Sequence, residues 1–285
     1  LYQQTFSRST PGCIVILLDR SESMQQRWAG SELTLAHGAA RAINKIFLEL
    51  CIKSTKEQGG DIRHYFDVGV FGYGLCASTG TTEGVESALG GALAGRGIVS
   101  LPELANNPMV VREEPSIDTM ATSSRVPIWI EPVSGYRTPM CQAIALAGAH
   151  IYDWVTVHPN SFPPIVVNIT DGFVTDSPHN NEDLNGWARR LCDIHTADGP
   201  TLLLNIFLSQ SQSAGVWFPS SPHSLHEPGP DLFAISSPLP QPMIDNARSA
   251  HVTVEPGARG LVFNADLAML VKFLEIGTRF DVRDC

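Results

Sequence analysis

The chain has 285 residues, 43% of them hydrophobic, enough to bury a sizeable core, and 19 basic against 29 acidic residues give a formal net charge of −10. That acidity, with no cluster of more than two Lys or Arg, argues against nucleic acid as the main partner. The opening Leu1-Tyr2-Gln3-Gln4-Thr5 lacks the basic-then-apolar pattern of a leader, and no uncharged apolar stretch reaches membrane-spanning length. The expected location is therefore cytoplasmic, with no membrane partner.

Short apolar runs alternate with longer amphipathic ones along the chain. Residues 14–19 predict a strand, and 33–53 a helix with apolar positions at Leu35, Ala39, Ile43, Ile46, Phe47 and Leu50. Residues 66–71 predict the next strand. The spacing then predicts a helix over 139–157, with Pro139 in its first turn and Thr138 as candidate N-cap. Strands at 165–170, 202–208 and 261–263 alternate with helices at 184–195, 242–251 and 266–276. This is the pattern of a doubly wound α/β fold, a mostly parallel central sheet flanked by helices. Two stretches interrupt it: 76–134, rich in Gly, Ser, Thr and Pro with strand-like pieces at 85–89 and 128–132, and the proline-rich 209–241. Both read as loop-rich insertions on a single domain spanning 1–285.

Six cysteines, Cys13, Cys51, Cys76, Cys141, Cys192 and Cys285, are scattered without a C-x-x-C and read as free thiols of a reducing compartment. The stronger chemical signal is Asp19-Arg20-Ser21-Glu22-Ser23, placed directly after the first apolar run. A loop leaving a strand can curl one carboxylate and two hydroxyls around one ion. Such hard oxygen ligands suit Mg²⁺, Mn²⁺ or Ca²⁺. Thr138 opens a helix and Asp171-Gly172 follows the apolar run 165–170, so three segments present oxygens at strand ends or a helix start. The plainer reading makes Asp19 and Asp171 turn or helix caps and the serines loop hydroxyls.

These motifs, in this order and setting, resemble the von Willebrand factor A (VWA) fold with its metal-ion-dependent adhesion site. The resemblance implies that Ser21 and Ser23 bind the ion directly, that Thr138 binds it in the ligand-engaged form, and that Asp19 and Asp171 hold it directly or through water. It also implies that the first strand lies beside the one carrying Asp171, so that the site falls in the crevice where strand order reverses. An ion bound mostly by hydroxyls keeps a position for a partner's Asp or Glu. The implied function is a non-enzymatic, metal-dependent protein-binding adaptor. Many members have Gly between the two serines, where this chain has Glu22.

The segments 71–74, 90–97 and 262–279 resemble the bacterial cytoplasmic tellurite-resistance-type branch, which implies kinase-like, phosphatase-like or AAA+ ATPase partners in a stress or defence system. One alternative is a structural subunit with an empty metal site that binds through its insertions. A second is a Mg²⁺-dependent phosphohydrolase using Asp19, although the second acid wanted at i+2 is here Ser21. No G-x-S-x-G is present, and Cys141 reads as core-facing. The glycines of 90–97 lack the Lys-Ser/Thr of a phosphate loop, and His223 and His226 read as an exposed loop pair rather than a zinc site.

Overall fold

The computed structural model describes residues 1–28, 30–55, 60–114, 124–210 and 213–278. Cys285 and Arg279 lie outside them. In chain order the elements are β1 (Gly12–Arg20), α1 (Leu35–Lys53), β2 (Phe66–Leu75), β3 (Glu83–Ser87), β4 (Ile98–Ser100), α2 (Leu101–Asn106), β5 (Val110–Glu114) and β6 (Ser124–Ile128). There follow α3 (Met140–Val157), β7 (Ile165–Thr170), α4 (Leu184–Cys192), β8 (His195–Thr196), β9 (Gly199–Pro200) and β10 (Leu202–Leu208). The chain continues through β11 (Val216–Trp217), α5 (Gly229–Ile235), α6 (Gln241–Ser249), β12 (Leu261–Ala265) and α7 (Leu267–Thr278).

The main sheet runs β11-β12-β10-β7-β1-β2-β3, with β4 also paired to β2. Its middle, β12-β10-β7-β1-β2, is parallel throughout, whereas β3, β4 and β11 join antiparallel. This is the expected doubly wound α/β architecture. Successive residues of β1 point to opposite faces, so its unbroken apolar run covers both. Ile14, Ile16 and Leu18 join the core that includes Ile43 and Phe47 of α1 and Leu270 and Leu274 of α7. Cys13, Val15 and Leu17 join the core containing Ile144 and Ile151 of α3 and Leu191 of α4. Each fully buried aliphatic side chain contributes about 1.5–3 kcal/mol, and the two layers fix the sheet between them. From β1 the chain passes to β2 on one side, while β7 sits on the other. The strand order therefore reverses at β1, and the crevice lies beyond the C-terminal ends of β1 and β7.

The interrupting stretches are more integrated than loops. Residues 76–134 supply β3 and β4, which extend the main sheet, and β5 and β6, which pair antiparallel in a separate two-stranded sheet. A strand expected at 128–132 instead ends at Ile128. The residues after it are held by a side chain: Asn44 of α1, 2% exposed, accepts from the Trp129 and Ile130 amides at 2.9 and 3.2 Å and donates to the Ile130 carbonyl at 2.9 Å. One buried amide thus replaces a ladder partner. Residues 209–241 likewise bury Phe218, Leu225, Leu232 and Ile235. Helix boundaries shift by a few residues: Thr34 caps α1 by accepting from the His37 amide, so Leu33 stays outside, and α4 ends before His195, which pairs in the short β8–β9 ladder.

Away from the crevice, buried Asp67 at the start of β2 accepts from Trp154 Nε1 of α3 at 2.9 Å and meets His64 Nε2 at 2.6 Å. The bond to Asp67 raises the His64 pKa above its ordinary 6.5, against partial burial, which lowers it. Because the folded value is raised, this contribution is complete below pH 6.5 and is lost as pH climbs through the folded value. His64→Gln is therefore expected to lower the melting temperature at pH 5.5 and to leave it nearly unchanged at pH 9. A melting difference that is flat with pH would show that the pair does not form.

Candidate metal centre

The last residues of β1 turn inward because the backbone itself is bridged by Asp19. Its Oδ1 accepts from the Ser21 amide at 2.8 Å, and its Oδ2 accepts from Thr170 Oγ1 of β7 at 2.6 Å. Residues Glu22–Gln25 then form a short 3₁₀ turn. This turn brings Ser21 Oγ to 3.0 Å from Ser23 Oγ, and Ser23 Oγ donates to Asp171 Oδ1 at 2.7 Å. Gln210 Nε2 donates to the other Asp171 oxygen at 3.3 Å. Four of the five expected oxygen ligands thus form one connected group across β1 and β7.

Thr138 completes the group from the far wall. A Cβ placed on Gly172 would lie 3.5 Å from Thr138 Oγ1 and 3.7 Å from Ser23 Oγ, so both hydroxyls border the same small space. The expectation that Thr138 caps the helix is corrected: α3 starts at Met140, and its cap comes from Asp176, whose two oxygens accept from the Cys141 and Gln142 amides at 3.0 and 2.8 Å. A charged cap satisfies two of the free helical amides and complements the helix dipole. Relieved of capping, the Thr138 hydroxyl takes no hydrogen-bond partner among the described residues. Its backbone is clamped instead, with the Thr138 amide donating to Thr175 Oγ1 at 2.9 Å and the Thr175 amide to the Thr138 carbonyl at 3.1 Å.

Burial makes this group electrostatically costly. Asp19, 1% exposed, has its pKa pushed up to about 7, first by desolvation and then by the neighbouring Asp171 charge. Desolvation raises Asp171 as well. The nearby cation does not relieve them: the buried Arg20 guanidinium turns to Glu86, donating at 3.1 Å. Its path is cleared by Gly72, where a Cβ would stand 2.4 Å from Arg20 Nε. Two buried carboxylates and three hydroxyls, with no compensating basic side chain paired to them among the described residues, fit a hard divalent cation. Among the described residues no three His, Cys, Asp or Glu side chains are grouped to hold a metal, and at this crevice the other oxygen groups beside Asp19 and Asp171 are hydroxyls.

Sequence reasoning missed Thr170, Thr175, Asp176 and Gln210. Thr170 and Thr175 stand within a few residues of Asp171, which is the only local signal for them. Asp176 and Gln210 act across 35 and 39 residues. The other candidates have structural roles. Cys141 is fully buried, Gly90 makes room for Met109, Gly97 for His150, and His226 packs edge-on to Phe263 at 4.8 Å. The described cysteines are free, with Cys13, Cys51 and Cys141 buried. No described helix is long and apolar enough to cross a membrane.

No protein-family model matches the chain, and no curated protein matches it. Among solved structures the chain is similar to manganese-loaded TRAP protein of Plasmodium vivax, at 12% identity and a TM-score of 0.45, covering 93% of this chain and 72% of that one. It is also similar to the human COPII-coat protein Sec24c, at 11% identity and a TM-score of 0.33, over 71% of this chain and 26% of that one.

Proposed function

We propose that this chain is a metal-dependent protein-binding module of the VWA type, in which Asp19, Ser21, Ser23, Thr138 and Asp171 hold a divalent cation, Mg²⁺ or Mn²⁺, that recruits a partner carboxylate. The observation that carries this reading is the convergence of these five oxygen-bearing side chains at the reversal point of the sheet. When bound, the ion supplies an electrophilic position for an outside carboxylate. Asp19 serves from behind, since both its oxygens are engaged by Ser21 and Thr170. That engagement and its burial also disfavour Asp19 as a nucleophile, which supports a binding role over phosphoester hydrolysis. The setting as an adaptor beside kinase-like, phosphatase-like or AAA+ partners draws support only from the sequence segments that resemble the tellurite-resistance-type branch.

The test is affinity capture from native lysate by wild type and Thr138→Ala, each in Mg²⁺ and in EDTA. A partner held by wild type in Mg²⁺ and lost in the other three conditions is the expected result. Partners retained equally in all four would mean that binding runs through the added segments instead.

A further inference from the structure

We infer that the rim of this site is shaped for a protein segment whose metal-binding Asp or Glu is flanked by one apolar and one basic residue. The inference rests on the metal-dependent binding proposed above and adds the chemistry of the partner.

Two exposed aromatic residues stand two positions along the chain from candidate ligands. Tyr136, 47% exposed, lies two residues before Thr138, and Phe173, 57% exposed, two residues after Asp171. Both are tied to the site through the backbone. The Tyr136 carbonyl accepts from the Glu22 amide at 2.9 Å, and its hydroxyl donates to the Thr81 carbonyl, which steadies the ring. Phe173 follows Gly172, the residue bordered by the Thr138 and Ser23 hydroxyls. A phenyl ring has no polar group to repay its exposure, and burying it against a partner is favourable. Aromatic anchors of this kind carry much of the energy of protein interfaces.

The rim charge points to the second flank. Glu22 stands exposed between the two serine ligands and has no ion-pair partner among the described residues. The nearby cation, Arg137, is engaged: its guanidinium lies 3.2 Å from Glu83. A carboxylate approaching the ion therefore passes an unneutralised acid. A Lys or Arg beside that carboxylate turns the repulsion into attraction and keeps out segments of acidic residues alone.

The probes are fluorescein-labelled peptides with a central Asp flanked by Leu and Lys, by Leu and Glu, or by Gly on both sides. Anisotropy titrations are run in Mg²⁺ and in EDTA, beside a Mn²⁺ titration of the protein alone by electron paramagnetic resonance. The Leu/Lys peptide is expected to bind in Mg²⁺ about tenfold more tightly than the Gly-flanked one, a difference of about 1.4 kcal/mol, and to be released by EDTA. Phe173→Ala and Tyr136→Ala should each erode that advantage at unchanged Mn²⁺ affinity, and Glu22→Lys should reverse the preference between Lys and Glu flanks. Equal binding of the three peptides, or no peptide binding by a protein that takes up Mn²⁺, overturns the rim inference alone. Failure to take up Mn²⁺ overturns the metal reading as well.

Discussion

Replacing Ser21 and Ser23 together by alanine is expected to abolish stabilisation by divalent cation. The two hydroxyls are two of the five oxygen donors proposed for the ion, and they connect the β1 loop to Asp171. Without them a cation faces two carboxylates and Thr138 alone. Metal at 100 times its dissociation constant stabilises the wild type by about 2.7 kcal/mol. At roughly 2–4 °C per kcal/mol for a domain somewhat smaller than this chain, that is a rise of about 5–10 °C in melting temperature. The double variant should show no such rise.

The substitution also acts on the metal-free protein, and the two effects must be separated. Asp171 Oδ1 loses the hydrogen bond from Ser23, while Gln210 still serves its other oxygen. Loss of one such bond costs about 1 kcal/mol, so a small drop in EDTA is expected from structure alone. The informative quantity is the Mn²⁺-minus-EDTA difference for each protein, measured by scanning calorimetry. A double variant that keeps the wild-type difference would place the ion elsewhere.

The central strands were readable because apolar residues dominate each of them and both faces are buried. The ranges 165–170 and 202–208 coincide with β7 and β10. Asp19, Ser21, Ser23 and Asp171 were readable for a related reason: they follow such runs directly, so the strand itself delivers them. What the sequence hid are pairings at long separation. Nothing near Asn44 marks it as the partner of Trp129 and Ile130, and nothing near Asp176 marks it as the cap of a helix that begins 36 residues earlier. A buried polar row behaves the same way. Tyr73 donates to Asn168 at 2.7 Å, Asn168 to Asn205 at 2.9 Å and Asn205 to Ser236 at 2.9 Å, so residues from β2, β7, β10 and the end of α5 satisfy one another inside the core. In sequence each reads as an isolated polar residue interrupting an apolar pattern. β3 was legible only in part, as the strand-like piece at 85–89, and β4 was missed for a different reason. Edge strands are short and half-exposed, so their composition resembles that of loops.

Gly74→Ala is expected to damage stability and metal binding together. Gly74 pairs with Arg20 across β2 and β1, at the point where the chain leaves the strand for Ser21. Its φ of +126° is one that side-chain-bearing residues rarely adopt, and a Cβ there would stand 2.5 Å from the Arg20 carbonyl carbon and oxygen and 2.8 Å from the Ser21 amide. These are backbone atoms, which no rotamer change can move aside. Backbone strain and overpacking together cost about 3 kcal/mol or more. Relief comes only by displacing the residues that carry Asp19 and Ser21, so Mn²⁺ affinity should fall along with melting temperature. Gly80→Ala supplies the control, since Gly80 also has positive φ, +68°, but open space around its Cβ position. That variant should cost only the left-handed conformational penalty, about 1–2 kcal/mol, and leave metal affinity intact. If the two variants lose equal stability and both retain wild-type Mn²⁺ binding, then the approach of β2 to the β1 exit does not position the metal loop.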